Sequence, residues 1–142
     1  MKPQQKIWMD GKLVPWDDAK IHVLTHGLHY GMAVFEGIRA FSTPGGTAVF
    51  RLAEHVERFM NSAKIYMMDL GFSSKEIIEA CKEVVRNNPA KECYIRPIAY
   101  TAYGEMGLNP LKNKISVAIA SWEWGAYLGA ESASKGVRAT VS

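Results

Sequence analysis

The chain has 142 residues, of which 48% are hydrophobic and 22% are charged, a composition typical of a folded globular protein. Seventeen basic and fourteen acidic residues give a net charge of +3, and the basic residues form no single run, so the charge does not favour nucleic-acid binding. No stretch approaches the roughly 20 apolar residues of a membrane span, and the start of the chain lacks an apolar signal segment. Two cysteines, Cys81 and Cys93, make no disulfide framework, so we expect a cytoplasmic protein.

Turn signals and apolar residues predict strands near the start of the chain. The dipeptide Asp10-Gly11 favours a tight turn, which predicts a β-hairpin over residues 7–14. Residues 16–32 contain two glycines and no clean period, which indicates a loop and a short helix. Two strands are predicted at 34–41 and 47–50, joined by a turn rich in proline and glycine.

Two helices and a second pair of strands are predicted in the middle of the chain. Apolar residues recur at helical spacing over about 52–67. The run Ser73-Ser74-Lys75-Glu76 is a capping box that starts a second helix, which ends near Pro89. Strands at 93–101 and 115–122 follow. Because helices and strands come in blocks rather than in βαβ alternation, the expected fold class is α+β, with an antiparallel sheet and two main helices.

The end of the sequence falls within an apolar pattern. Residues 137–142 predict a further strand, and no turn, cap or polar tail follows it. We therefore expect the chain to be the N-terminal part of a longer protein.

Three histidines form the one candidate metal site of the sequence. His22, His26 and His29 are spaced four and three residues apart, so on a helix they would share a face that suits Zn²⁺. Gly27 and Gly31 weaken a helix here, and no cysteine or carboxylate nearby completes the set. We predict that the chain has no metal site.

Arg58 follows His55 by one helical turn in the first long predicted helix. A guanidinium offers a fork of donors suited to phosphate, so Arg58 is a candidate anion ligand. The alternative is an ordinary exposed arginine flanked by Glu54 and Glu57, and spacing alone favours this alternative.

A second arginine lies inside an apolar strand. In the run Tyr94-Ile95-Arg96-Pro97, the alternation of a strand puts Tyr94 and Arg96 on one face. A guanidinium there needs a partner, which is either the carboxylate of a substrate or an internal Asp or Glu. Trp122, Trp124 and Tyr127 form an aromatic loop that lines an apolar pocket or belongs to an ordinary core cluster.

In their order along the chain, these segments resemble the branched-chain-amino-acid aminotransferases, which are fold-type IV enzymes that use pyridoxal 5′-phosphate. The string His29-Tyr30-Gly31-Met32-Ala33-Val34-Phe35-Glu36-Gly37-Ile38-Arg39 is similar to the family signature HYG-x-x-VFEGIR. Further matches follow the same order: residues 8–11 with Val14 and Trp16, then 50–58, 94–97 and 124–129. The D-amino-acid aminotransferases and aminodeoxychorismate lyases of the same fold type carry a different string at 27–37, so they are the less favoured alternative.

The resemblance implies that only part of the enzyme is present. Family members are roughly twice as long, and their cofactor-binding lysine lies in a PT-x-x-K-x-G-x-N context that this sequence lacks. Residues 1–128 are then the small N-terminal domain, and 129–142 are the interdomain connection and first strand of the large domain. No catalytic residue is expected within the chain, and the isolated chain is expected to be inactive. The alternative is a non-enzymatic fragment or interaction domain.

The resemblance also implies roles for individual residues. Arg58 is expected to contact the cofactor phosphate, and Arg96 to receive the second carboxylate of glutamate or 2-oxoglutarate. The loop 105–110 is expected to reach the active site of a neighbouring subunit, which makes a homodimer the smallest unit. The implied reaction is amino transfer between leucine, isoleucine or valine and 2-oxoglutarate. The residues expected to bind these amino-acid and 2-oxo-acid substrates are Tyr30, Phe35, Gly37, Tyr94, Arg96, Met106, Leu108, Trp124 and Tyr127.

Overall fold

The computed structural model describes residues 4–88, 90, 92–124, 135, 136 and 138–140. Within this part of the chain, seven strands form one antiparallel sheet in the order β2-β1-β7-β6-β4-β5, with β3 also paired to β6. The strands are β1 (Lys6–Met9), β2 (Lys12–Pro15), β3 (Ala33–Phe35), β4 (Ile38–Thr43), β5 (Gly46–Val49), β6 (Cys93–Thr101) and β7 (Ile115–Trp122). The helices are α1 (His26–Tyr30), α2 (Leu52–Ile65) and α3 (Ser74–Arg86), with short 3-10 helices at Trp16–Asp18 and Pro110–Lys112. The α+β class with an antiparallel sheet and two main helices is confirmed.

The two long helices form where sequence signals place them. At the start of α3, Glu76 N–H donates to Ser73 Oγ at 3.4 Å, and Ser73 N–H donates to Glu76 Oε2 at 2.7 Å, so the predicted capping box is present. Each helix buries one apolar stripe and leaves its other side to solvent. The buried residues are Leu52, Val56, Phe59 and Ala63 on α2, and Ile77, Ala80, Cys81 and Val84 on α3.

The two faces of the sheet have different surroundings. Along β6 every second residue is buried and the residues between are half-buried, as expected when one face carries the core. The helix-covered face packs against α2 and α3; its central residues are Cys93, Ile95, Pro97, Ala99, Thr101, Val117, Ile119 and Ser121. The open face has half-buried side chains; its residues are Tyr94, Arg96, Ile98 and Tyr100 on β6, and Ser116, Ala118, Ala120 and Trp122 on β7.

The strand predicted over 34–41 is interrupted, and the prediction of one continuous strand is wrong. Both parts pair with β6 in one register, since Phe35 lies opposite Ile98 and Ile38 opposite Ile95. Between them, Glu36 N–H donates to the carbonyl oxygen of Pro97 at 3.0 Å. Proline has no N–H to return that hydrogen bond, so the ladder lapses at Glu36 and Gly37.

The last part of the chain tests few of the predictions. Residues 138–140 lie in no strand, and the rest of the strand predicted at 137–142 lies outside the described residues. Tyr127 and the proposed domain boundary after residue 128 also lie outside them. Among the described helices, none has the length and apolar character needed to cross a membrane.

Candidate active site

Arg96 lies on the open face of the sheet and is surrounded by aromatic rings. Its guanidinium carbon is 4.4 Å from the ring centre of Phe35 and 5.7 Å from that of Trp122. Nη2 donates to the hydroxyl of Tyr94 at 3.2 Å, whereas the buried Nε–H has no hydrogen-bond partner among the described residues. No carboxylate of the described residues lies within ion-pair distance of this arginine. A buried cation with an unused donor is suited to an anionic ligand.

A cavity of about 300 Å³ opens beside this guanidinium. Its walls are Arg39, Tyr94, Arg96 and Trp124. The Tyr94 ring centre is 4.5 Å from that of Trp124 and 5.3 Å from that of Trp122, so three aromatic rings pack together at its rim. The cavity therefore combines two cations with apolar surface, which suits a ligand that has both a carboxylate and a hydrocarbon part.

Gly37 lets the Tyr94 ring pack against the backbone. A Cβ atom at this position would overlap the Tyr94 hydroxyl oxygen and lie 2.7 Å from Tyr94 Cζ. Any larger residue would therefore push the ring away from Arg96, whose Nη2 holds the same hydroxyl. This explains, from packing alone, why a glycine stands here.

Arg39 was missed by sequence reasoning, although a signal for it existed. It pairs with Tyr94 across β4 and β6, so both side chains face the open side of the sheet. Alternation along the segment Phe35, Gly37 and Arg39 puts these three residues on one face, because the register continues across the break. Applying that alternation to the VFEGIR string would have placed Arg39 beside Arg96.

Arg58 and Glu36 form an ion pair on the other side of the same segment. Arg58 Nε donates to Glu36 Oε1 at 2.5 Å and Nη2 donates to Oε2 at 2.7 Å, while His55 Nδ1 lies 2.8 Å from Oε2. The Glu36 side chain is 5% exposed, whereas that of Arg58 is 66% exposed. Sequence spacing suggested Glu54 and Glu57 as neighbours, but Glu54 pairs with Arg51 instead.

The ion pair keeps Glu36 charged despite its burial. Burial alone raises the pKa of this carboxyl, but hydrogen bonds and charge from Arg58 and His55 outweigh burial, so the pKa lies below its ordinary value of 4.5. The same carboxylate raises the pKa of Arg58. An ionised Glu36 only accepts hydrogen bonds, so His55 Nδ1 carries the proton it donates to Oε2.

Tyr30, Met106 and Leu108 are grouped at the far end of β6. The His26 ring packs 4.4 Å from the Tyr30 ring and its Nε2 binds the carbonyl oxygen of Gly107 at 2.7 Å, which joins α1 to the loop that carries the other two residues. His26 N–H binds the carbonyl of Ala102, six residues from Arg96 or about 20 Å along a strand. The structure therefore separates these three residues from the cavity at Arg96. All three are exposed, Leu108 to 89%.

The three histidines do not converge on a common point. His22 Nδ1 accepts from Leu24 N–H, His26 Nε2 binds Gly107, and His29 Nε2 binds the carbonyl oxygen of Val23. Within the described part of the chain, no group of three potential metal ligands occurs. Their hydrogen bonds hold α1 and the loops beside it.

Comparison with known proteins identifies the family. Residues 33–142 match the family model described as amino-transferase class IV. The chain belongs to the class IV aminotransferases. A branched-chain-amino-acid aminotransferase of Pseudomonas aeruginosa is 49% identical over 136 residues, which are 96% of this chain and 44% of that protein. The chain thus spans less than half the length of such relatives.

Solved structures of this aminotransferase family share the fold described above. The crystal structure of the branched-chain amino acid aminotransferase of Escherichia coli is 46% identical, with a TM-score of 0.87 over 91% of this chain and 43% of that one. A Thermus-type (T.th.) enzyme of the same name, complexed with N-(5′-phosphopyridoxyl)-L-glutamate, is 54% identical, with a TM-score of 0.84 over 87% of this chain and 42% of that one. The resemblance to this family, drawn from the sequence motifs, is confirmed.

Proposed function

We propose that this chain is the N-terminal part of a pyridoxal-phosphate-dependent branched-chain-amino-acid aminotransferase. The reaction is amino transfer between leucine, isoleucine or valine and 2-oxoglutarate. The observation that carries the proposal is the buried, partly unpaired guanidinium of Arg96 inside an aromatic cavity. A relative that shares 49% of its residues and a solved structure with a phosphopyridoxyl-glutamate ligand support it.

The cavity at Arg96 suits both kinds of substrate of this reaction. Phe35 and Trp124 offer apolar surface to an aliphatic side chain, whose burial is favourable by roughly 1.5–3 kcal/mol. Arg96 offers donors to the second carboxylate of glutamate or 2-oxoglutarate, and the Tyr94 hydroxyl fixes its orientation. One pocket then accepts the acidic and the aliphatic partner in turn. Tyr127 completes this set in the proposal.

The donors of Arg58 fit the phosphate of the cofactor. Glu36 occupies the Nε–Nη2 edge of the guanidinium, while Nη1 has no partner among the described residues and the side chain is largely exposed. Arg58 therefore retains donors for an anion and would hold the phosphate through them. Bound pyridoxal phosphate supplies an electron-withdrawing ring that stabilises the negative charge left when the Cα proton departs. The residues of this chain bind and orient; the lysine that moves the proton is not among them.

The proposed active unit is at least a homodimer in the cytoplasm. Tyr30, Met106 and Leu108 lie about 20 Å along the sheet from Arg96, so they are suited to the pocket of a second copy rather than to their own. Exposed apolar tips on a loop held by hydrogen bonds are what such a contact needs. The two buried free cysteines agree with a reducing compartment.

Assays of the complete protein test this function. With pyridoxal phosphate present, L-leucine, L-isoleucine and L-valine should each transfer their amino group to 2-oxoglutarate, as measured by glutamate formation. D-Alanine serves as the control for the related D-amino-acid aminotransferases. Preference for D-alanine would move the protein to that branch of the fold type, and the absence of transfer from any amino acid would favour the non-enzymatic alternative. A PT-x-x-K-x-G-like stretch within about thirty codons after Ser142 is the matching expectation for the coding sequence.

A further inference from the structure

We propose that Glu36 is a positioning residue, which fixes the guanidinium of Arg58 so that its remaining donor edge is presented to the cofactor phosphate. The inference rests on the proposed function, since it takes Arg58 as the phosphate ligand. It adds a role for a buried carboxylate that does not itself contact the phosphate. Three features bear on it: which edge of the guanidinium is occupied, what holds the carboxylate, and the sign of the electrostatic effect.

The carboxylate occupies a single edge of the guanidinium. Both oxygens of Glu36 accept hydrogen bonds, one from Nε and one from Nη2, so the two planar groups are aligned. This leaves both N–H groups of Nη1 and one of Nη2 on the adjacent edge. An arginine that is 66% exposed would otherwise lose many rotamers on binding an anion. The pair with Glu36 restricts those rotamers before the phosphate binds.

The carboxylate is itself held from two directions. Its backbone N–H is bound to Pro97 O at 3.0 Å, so the residue is tied to the central strand of the sheet. Its Oε2 accepts a second hydrogen bond from His55 Nδ1 on α2, at 2.8 Å. Since Arg58 Nη2 and His55 Nδ1 both donate to this oxygen, their 3.4 Å approach is not a hydrogen bond between them. The carboxylate thus joins the sheet to the helix that carries Arg58.

The same three-residue segment also contributes to the substrate cavity. Alternation sends the Phe35 ring to the open face, where it covers Arg96, and sends Glu36 to the opposite side, where it binds Arg58. Gly37 then admits the Tyr94 ring. One break in the strand therefore sets the relative positions of the proposed phosphate ligand and the proposed substrate ligand.

Charge and position make opposite demands on this carboxylate. Glu36 is negative and repels a phosphate, so a site built for charge alone would bind phosphate more tightly without it. A site built for position loses affinity when the carboxylate is changed, because the guanidinium regains its freedom. The sign of the effect of Glu36→Gln on phosphate binding therefore separates the two roles. Glutamine keeps the shape but offers one donor where Nη2 needs an acceptor.

The experiment compares two ligands in the complete protein freed of cofactor. Dissociation constants are measured for pyridoxal phosphate and for pyridoxal, which has the same ring without the phosphate, in wild type, Glu36→Gln and Arg58→Ala. Glu36→Gln should weaken pyridoxal phosphate about tenfold and leave pyridoxal within about twofold, since the loss of a charge-assisted hydrogen bond is of this size. The double variant should bind no more weakly than Arg58→Ala. Glu54→Gln is the matched control, because it removes an exposed carboxylate that pairs with Arg51 on the same helix.

Each outcome assigns the failure to one of the two proposals. If Arg58→Ala weakens pyridoxal phosphate but Glu36→Gln does not, or tightens it, the positioning role is wrong and the function stands. Equal weakening of both ligands by Glu36→Gln would show that Glu36 supports only the fold. If wild type binds neither ligand, the proposed function itself fails. Should Glu36→Gln not fold, Glu36→Asp keeps the charge but shortens the side chain, and the same selective loss of phosphate affinity is expected from it.

Discussion

The two faces of the sheet differ in what covers them and in which residues they carry. On the helix-covered face, Ile95, Ala99 and Val117 are fully buried and pack against helices that bury their own apolar stripes. On the open face, side chains of the same strands remain half-buried and include an arginine with an unused donor. Both faces come from one alternating sequence. The first face stabilises the domain, and the second keeps aromatic and cationic groups available for a ligand.

The two arginines extend this comparison. Arg58, on the helix-covered side, is exposed and already holds a carboxylate, so its position is fixed by an ion pair. Arg96, on the open side, is more buried but faces rings rather than a carboxylate among the described residues. A cation held by aromatic faces stays available for an anion, because those faces satisfy none of its N–H donors.

The largest effect is expected from a pair of phenylalanine variants, one for each face. Phe59 is fully buried on α2, so Phe59→Ala should lower the local free energy of unfolding by about 3–5 kcal/mol through lost burial and a cavity. Phe35 is 57% exposed on the open face, so Phe35→Ala should change stability by less than about 1 kcal/mol. Hydrogen exchange of amides in α2 and β6 of the complete protein measures both. Similar losses of protection would contradict the division of roles between the faces.

Arg96→Ala should give the next largest effect. It should raise the KM for glutamate and 2-oxoglutarate by about tenfold to a hundredfold, because a charge-assisted pair worth roughly 1.5–3 kcal/mol is lost. The KM for leucine should change much less, since leucine has no second carboxylate. Steady-state kinetics of the complete protein with both substrate types provide the measurement. Arg86→Ala is a suitable control, because Arg86 is an exposed arginine at the end of α3. Equal losses for both substrates would make Arg96 structural.

Local sequence signals predicted the elements but not the contacts between them. The periodicity of α2 and α3 and the Ser73 capping box depend on residues within four positions of each other, and these predictions are confirmed. The interruption after Phe35 depends on Pro97, which lies some sixty residues later in the chain. Nothing within the predicted strand 34–41 signals it, because the missing hydrogen bond belongs to the neighbouring strand.

The candidate site shows the same limit. Arg58 was singled out from its place on a helix, but its partner Glu36 is 22 positions away, beyond any spacing rule for a helix face. For Arg96 the sequence left a substrate carboxylate and an internal one as alternatives; the described residues supply Tyr94 and the aromatic rings instead. Family motifs placed the site residues on the correct strands, whereas their separation into two groups about 20 Å apart required the register of β6.

The smallest effect distinguishes the two arginines by pH. The pKa of Glu36 lies below 4.5 in the folded chain, because the hydrogen bonds and charges of Arg58 and His55 outweigh the effect of burial. Such a group adds stability above its unfolded pKa, and this contribution is lost as the pH falls through the folded pKa. Near neutral pH, Glu36→Gln should lower the melting temperature of the complete protein by roughly 2–4 °C. This difference from wild type should shrink below about pH 4.5. For Arg96→Met the difference should stay constant over that window, since no described carboxylate pairs with Arg96. Thermal unfolding of the three proteins between pH 7 and pH 3 measures both, and a constant difference for Glu36→Gln would mean that its carboxylate is not stabilised by Arg58.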